Sequence, residues 1–182
     1  MFKLFVQPRK SRYLVWAMRY AGFLPIFLLS SFVSVGQSAD TLPANGSVAD
    51  EAGINNVLAE FVSAWNLHDP NAFSMVFAED ADFTNIRGMS AHGRIAIDSF
   101  HAPVFRTFFK DSYQRITRAT IRFIGSNVAA VDAWWEMTGS TSPSGQPIPL
   151  RKGLLNFVMT RSSGKWVIAV MHNMELAVAP LK

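Results

Sequence analysis

The feature that most constrains the fold is a change of hydrophobic period near Lys110. Before this residue, apolar side chains recur three and four positions apart, as in helices that bury one face. After it, apolar and polar residues alternate with period two as far as residue 176, as in strands that bury one face. Helices followed by strands predict an α+β domain rather than alternating βαβ units.

Connections rich in Gly, Ser or Asn separate four predicted strands, at residues 113–124, 128–138, 150–161 and 166–176. Short connections join antiparallel neighbours, because parallel neighbours need a long crossover. Three helices are predicted before these strands, and the third, over about 94–109, contains Pro103, which should kink it. We therefore predict a cone-shaped, curved antiparallel sheet packed on one face by three N-terminal helices.

Two start signals place the first two helices. Ser47, followed three residues later by an aspartate, is typical of a helix N-terminus, and Asp69 before Pro70 matches a cap and first helical position. Residues 81–86 then alternate like a short strand. Residues 88–93, which begin and end with glycine, are predicted to form a loop.

Charge is unevenly distributed along the 182 residues, whose formal net charge is +4. Residues 1–39 hold five basic residues and no acid, whereas residues 40–182 hold 12 basic and 13 acidic residues. The order of basic residues, an apolar run at 20–35 and then small residues is typical of a secretory signal. The resulting domain prediction is a signal peptide at 1–38, a flexible linker at 39–50 and a folded domain at 51–178.

The apolar run at 20–35 is short for a permanent membrane span. As a helix it would rise only ~24 Å, against ~30 Å for the hydrocarbon core of a bilayer. We therefore expect cleavage, after Ser38 or Ala39, rather than retention as an anchor. The protein is expected to be exported to the periplasm or beyond, with membrane attachment only through an uncleaved signal.

Several classes of function lack their sequence signals. The nearly neutral domain offers no electrostatic footprint for nucleic acid. Without cysteine, there is no thiolate nucleophile, disulfide or sulfur-ligated metal. The four histidines lack metal-ligand spacing, and no nucleotide-binding or nucleophile-elbow motif is present. Neither a metal nor a cofactor is therefore predicted.

Six short stretches carry a resemblance to a known family: AWN at 64–66, FAEDADFTN at 77–85, GR-AI at 93–97, R-G at 151–153, W-I at 166–168 and HN at 172–173. The chain resembles the SnoaL-like families of the nuclear transport factor 2-like superfamily, most nearly the SgcJ/EcaC group, over about residues 51–177. This resemblance implies a bent sheet wrapped round a long helix. It also implies a ligand pocket at the wide end and, often, a dimer.

Ketosteroid isomerase, a member of that superfamily, provides a comparison by position. Its general-base aspartate falls on Asn85, and its two hydrogen-bond donors fall near Phe61 and Leu155. An amide cannot abstract a proton, and Phe and Leu side chains cannot donate hydrogen bonds. The resemblance therefore does not predict steroid-type proton transfer by that set of residues.

Strand alternation selects candidate cavity residues. The wholly apolar face of residues 128–138, which includes Trp135, should be interior. By the same alignment Arg151 and Asn173 face inward, whereas His172 faces outward unless a bulge intervenes. Because the pair His172–Asn173 is part of the family resemblance, both residues are kept as ligand-binding candidates beside Arg151, with less weight on His172. The tryptophan of the first helix, Trp65, is expected in the core or the cavity wall.

Three polar residues have both a structural and a functional interpretation. His101, within the aromatic stripe of the third helix, is either a core histidine bonded to a carbonyl or a proton donor or acceptor with a pKa near neutrality. Asn85 either closes a turn before Gly88 or orients a substrate carbonyl. Arg151 is either a solvated charge at the end of a strand or an anchor for an anionic ligand group.

The predicted function is an exported domain that binds a small apolar or polyketide-like ligand. Any chemistry would be of acid/base type, as in an isomerase, a hydrolase or an oxidoreductase of the SgcJ/EcaC group, with His101 and Asn85 as its candidate catalytic residues. The alternative is a non-catalytic binding or assembly module. Trp134, on a polar strand face, favours a homodimer through the sheet. A cavity lined by His101 and Asn85 would favour ligand binding.

Overall fold

The computed structural model describes residues 46–177, which form three helices and six strands. Their bounds are α1 Val48–Asn66, α2 Pro70–Met75, β1 Phe77–Thr84, β2 Ser90–His92, α3 Arg94–Arg106, β3 Tyr113–Gly125, β4 Val128–Thr138, β5 Arg151–Ser162 and β6 Lys165–Glu175. None of the helices within this range combines the length and apolar character needed to cross a lipid bilayer.

The six strands form one curved sheet in the order β2–β1–β6–β5–β4–β3. All neighbouring strands are antiparallel except β1 and β6, which run parallel. That pair is possible because the chain from β2 to β5 forms the long connection that parallel neighbours require. The predicted α+β fold with N-terminal helices is confirmed, and the parallel pair is an addition that alternation alone did not indicate.

One face of the sheet packs against the helices. Trp135 on β4 and Phe157 on β5 are each only 2% exposed, as the strand alternation predicted. From α1, Phe61 contacts Phe73 and Phe157, with ring centroids 4.8 and 5.6 Å away. These aromatic contacts join helices and sheet in one core.

Gly153 on β5 leaves room for the large side chain of Trp135 on β4. It lies opposite Trp135 in the β4–β5 register. A Cβ atom at this position would overlap both the Trp135 indole and the main-chain carbonyl of Met174. The glycine therefore lets the indole lie against the backbone of β5.

The element boundaries differ from expectation in three places. Helix α1 begins at Val48, inside the predicted linker, because Ser47 and Asp50 form a reciprocal capping box. The predicted loop at 88–93 contains the three-residue strand β2. Helix α3 ends at Arg106 because Thr107 leaves helical geometry. The predicted signal peptide lies outside the described residues.

Candidate functional site

A cavity of about 460 Å³ lies between α3, the β1–β2 turn, the ends of β4 to β6 and the loop after β4. Because a water molecule occupies about 30 Å³ in the liquid, this space can hold a small organic molecule. Much of the wall is apolar, including Phe83, Phe100, Val104, Phe108, Met137 and Met171.

Six of the seven predicted site residues line this cavity, namely Trp65, Asn85, His101, Trp135, Arg151 and Asn173. They come from α1, the β1–β2 turn, α3 and three strands, so only the fold brings them together. The seventh, His172, is exposed and is not among the cavity-lining residues. Its roles as a cavity or binding residue are therefore not supported.

A bulge in β6 determines that Asn173, rather than His172, faces the cavity. Trp166 and Ile168 face the core, at 6% and 0% exposure. The β5–β6 register then shifts by one residue, so that Met171 and Asn173 face inward. Uninterrupted alternation from Trp166 would have placed His172 inside. A bulge is therefore present, but it turns Asn173 inward, whereas the bulge considered from sequence would have turned His172 inward.

His101 is 2% exposed and its ring is fixed by its own helix. Its Nδ1 atom lies 2.7 Å from the carbonyl oxygen of Ile97. A carbonyl only accepts, so Nδ1 must carry the hydrogen in the neutral ring, and Nε2 must present a lone pair. Within residues 46–177 Nε2 has no hydrogen-bond partner, which leaves an acceptor on a cavity-lining side chain.

The surroundings of His101 disfavour its charged form. The ring centroids of Phe73 and Phe83 lie 4.3 and 4.8 Å from the imidazole, and Trp65 and Phe100 pack nearby. Burial among these rings lowers the pKa of His101 to about 4, although the bond to Ile97 opposes this change. The expectation of a pKa near neutrality was therefore wrong, because the sequence did not reveal how completely the ring is desolvated.

Asn85 closes a turn and lines the cavity at the same time. Its Oδ1 atom accepts hydrogen bonds from the main-chain N–H groups of Arg87 and Met89, at 2.9 and 3.0 Å. This bonding is the turn-closing role considered from sequence. The Nδ2 group has no partner among the described residues, so the amide retains two free donors.

The two tryptophans of the cavity wall use their indole N–H groups within the protein. Trp135 donates from Nε1 to Oδ1 of Asn173, at 2.9 Å. Trp65 donates from Nε1 to Oγ of Ser112, at 3.1 Å. Neither indole has a free donor, and both contribute apolar ring surface to the cavity.

Arg151 is neither solvated nor free to bind an anion. Its side chain is 10% exposed and forms a double ion pair with Glu175, with Nε to Oε1 at 2.6 Å and Nη2 to Oε2 at 3.0 Å. These hydrogen bonds lower the pKa of the Glu175 carboxyl, so the pair stays ionised and compensates its own charge.

Glu175 lines the cavity but was not predicted from sequence. Same-face positions near the open ends of β5 and β6 could have indicated a partner for Arg151. That signal was available, because Glu175 lies two residues after Asn173 and so shares the face that was predicted to be inward. Among residues 46–177, no group of three His, Asp or Glu side chains is placed to hold a metal ion.

A curved sheet, three helices and a cavity with an aromatic wall place this protein among the α+β domains that have a chamber between helices and sheet. The family model of the SnoaL-like domain matches residues 58–168. The chain therefore belongs to the SnoaL-like domain family. A search of the curated proteins found no match.

Solved structures show the same fold. An uncharacterized protein with a cystatin-like fold from Caulobacter vibrioides is 24% identical, with a TM-score of 0.65 over 70% of this chain and 89% of that one. A candidate scytalone dehydratase from Novosphingobium aromaticivorans is 16% identical, with a TM-score of 0.62 over 70% and 85%. A hexachlorocyclohexane dehydrochlorinase, LinA type 2, is 14% identical, with a TM-score of 0.66 over 74% and 90%.

Proposed function

We propose that the domain binds a small, mainly apolar molecule in its cavity and that His101 accepts a proton from it. The observation that carries this proposal is the combination of a 460 Å³ cavity with a buried imidazole whose Nδ1–H is held by Ile97. Because Nδ1 carries the hydrogen of that bond, Nε2 has a free lone pair and is the basic atom of the site that can accept a proton.

The lowered pKa selects the direction of proton transfer. With a pKa of about 4, His101 is neutral at physiological pH, so it can accept a proton but carries none to donate as an imidazolium. A weak base can suffice, since ketosteroid isomerase uses an aspartate whose pKa is only about 4.6. A base role is therefore favoured over the acid role that the sequence left open.

The names of two structural neighbours are compatible with a base. A dehydrochlorinase and a dehydratase remove hydrogen chloride and water, and such eliminations include loss of a proton to a base. We propose that this chain catalyses a reaction of the same broad type, an elimination, or an isomerisation by proton transfer. A narrower alternative is that the chain belongs to the SgcJ/EcaC group, which it resembles in sequence. In that case the reaction would be an oxidation or reduction.

Native mass spectrometry of the purified protein, with His101→Ala and His172→Ala variants, tests the proposal. We expect a small molecule to co-purify with the wild type and with His172→Ala, because His172 lies outside the cavity. The His101→Ala variant should lose turnover of that molecule while keeping a cooperative thermal transition. Equal turnover by both variants would show that His101 is not the base.

An assembly role has its own supporting observation on the outer face of the sheet. Trp134, Leu154 and Met174 lie side by side across β4, β5 and β6, and the Arg118 guanidinium stacks 3.5 Å from the Trp134 ring. At one edge β3 carries arginines; near the other, β1 carries exposed acids. We propose that a second copy packs here about a twofold axis, with β3 of each copy against β1 of the other.

Analytical ultracentrifugation tests this dimer. The wild type should sediment as a dimer at micromolar concentration, and Trp134→Glu should sediment as a monomer that retains ligand. The matched control is Ile95→Glu, since Ile95 is 84% exposed on α3, away from the sheet, and should remain dimeric. A monomeric wild type, or a dimeric Trp134→Glu variant, would contradict the sheet-face arrangement.

We also propose that the protein is exported and that its N-terminal segment is cleaved. The support is the order of basic, apolar and small residues over positions 1–39. Intact-mass measurement of protein from the periplasm or culture fluid of its native host should show loss of the first 38 or 39 residues. Full-length protein confined to the cytoplasm would contradict the proposal.

A further inference from the structure

Asn85 and Asn173 share an unusual property, which is that the protein holds the oxygen of each side-chain amide and leaves the nitrogen free. Oδ1 of Asn85 accepts from two main-chain N–H groups, and Oδ1 of Asn173 accepts from the Trp135 indole. A main-chain or indole N–H can only donate, so these bonds fix which end of each amide is oxygen.

The strand register places the two asparagines at neighbouring positions, one just past the end of β1 and the other on β6. In the parallel pairing of β1 and β6, Thr84 lies opposite His172, so Asn85 and Asn173 occupy the following position. Both residues line the cavity, and neither Nδ2 group has a hydrogen-bond partner within residues 46–177. The cavity wall therefore carries two amide N–H₂ groups, on residues that the strand register makes neighbours.

The charge balance of the wall indicates what such donors would bind. Arg151 is paired with Glu175, and His101 is neutral at physiological pH, so neither supplies a free positive charge beside the two amides. The remaining cation of the lining, Arg87, is exposed to solvent, which screens its charge. A neutral carbonyl oxygen has two lone pairs and can accept from both amides. A carboxylate would lose more hydration on entering an apolar cavity than these neutral donors return.

We propose that the Asn85 and Asn173 amides form a two-donor site for the carbonyl oxygen of a neutral ligand, such as an aromatic or alicyclic ketone. This inference rests on the proposed function, because it names the class of ligand for the same cavity. It assigns Asn85 a role as a donor, at the position where ketosteroid isomerase has its proton-accepting aspartate.

Three naphthalenes of similar shape test the class of ligand by equilibrium dialysis with the full chain. They are 2-acetylnaphthalene, which has a carbonyl, 2-isopropenylnaphthalene, which replaces the oxygen with carbon, and the anion 2-naphthoate. Because apolar partitioning favours the alkene, the informative quantity is the ketone-to-alkene affinity ratio and its change between variants. Tighter binding of the naphthoate than of the ketone would overturn the assignment to neutral ligands.

Asn85→Asp and Asn173→Asp remove the donors while keeping an oxygen for the bonds that Oδ1 accepts. Each should lower the ketone-to-alkene ratio about tenfold, since a lost hydrogen bond at an apolar site is worth about that factor. The matched control is Asn127→Asp, because Oδ1 of Asn127 also accepts a bond, from Arg161, but outside the cavity. Unchanged ratios in the cavity variants, with alkene binding retained, would overturn the donor site alone.

The wild type supplies a readout that does not depend on whether the variants fold. The carbonyl stretching band of bound 2-acetylnaphthalene should lie at lower wavenumber than in hexane, because hydrogen bonding weakens the C=O bond. A band at the hexane position would overturn the inference and leave the cavity as a binding site. Failure of both the ketone and the alkene to bind would overturn the proposed function, and the donor site with it.

Discussion

The start of α1 and the cavity differ in how fully their polar side chains are hydrogen-bonded within the protein. At the start of α1, the Asp50 carboxylate accepts from Ser47, from the Trp166 indole and from the Arg161 guanidinium. Around the cavity, His101 and the two asparagines each use one polar atom within the protein and leave the other free. Of these two regions, only the cavity leaves polar atoms unused, and they lie where a ligand could reach them.

The two regions also favour opposite charge states. Hydrogen bonding from Ser47 lowers the pKa of Asp50 and so stabilises its ionised form. Burial lowers the pKa of His101 and so stabilises its neutral form. Among the described residues, the fully buried side-chain atoms without a partner are Gln114 Oε1 and Ser140 Oγ. The free atoms of the cavity wall are not in that group, so they are open to the cavity rather than sealed in the core.

The largest expected effect comes from truncating the packed core. Phe61→Ala should destabilise the fold by about 3–5 kcal/mol, because Phe61 is 1% exposed and contacts other rings. Phe108→Ala should cost no more than about 1 kcal/mol, because Phe108 is 37% exposed and borders the cavity. Urea unfolding measures both, and equal losses would contradict the contrast between packed core and cavity wall.

The next effect is the pH dependence that His101 contributes. Its pKa is about 6.5 in an unfolded chain and about 4 when folded, so the neutral ring stabilises the fold fully above about pH 6.5. That contribution, about 3 kcal/mol, should be lost progressively as the pH falls from about 6.5 to about 4.

Urea unfolding of His101→Gln over the same range measures this contribution, since glutamine does not titrate. The variant should lose about 3 kcal/mol less stability than the wild type between these pH values. Carboxyl groups with lowered pKa values, including Glu136 and Glu175, titrate in both proteins and cancel in the difference. The control is His172→Gln, which should behave as the wild type, and parallel pH profiles for all three proteins would exclude the burial effect.

Much of the fold could be predicted because it depends on local signals. The period-two runs place β3 to β6 within one residue of their observed ends, and Ser47 marks the start of α1. The parallel pairing of β1 with β6 and the short strand β2 could not be predicted, because tertiary contacts far apart in sequence determine both. Alternation specifies which face of a strand is buried but not its neighbour.

Most residues of the site could be predicted from the sequence, but their protonation and pairing could not. Helical spacing placed His101 in an aromatic stripe, yet its pKa depends on rings from β1 and α2 that only the tertiary structure brings close. Asn173 was predicted to face inward, but the bulge in β6 that gives Asn173 and Glu175 this orientation in the structure could not be seen in the alternation. The features that the sequence could not show were therefore tertiary contacts and the register of the strands, not which residues form the site.

The smallest expected effect concerns the compensated charge at the cavity wall. Glu175→Gln should leave the Arg151 guanidinium without its carboxylate and so raise the affinity for 2-naphthoate several-fold, with little change for 2-acetylnaphthalene. Glu136→Gln is the matched control, because it also removes a carboxylate from an arginine, Arg115, but away from the cavity. Equilibrium dialysis compares the variants. If the naphthoate affinity does not change in Glu175→Gln, the ion pair is not what keeps anions out, and desolvation of the carboxylate alone must account for their exclusion.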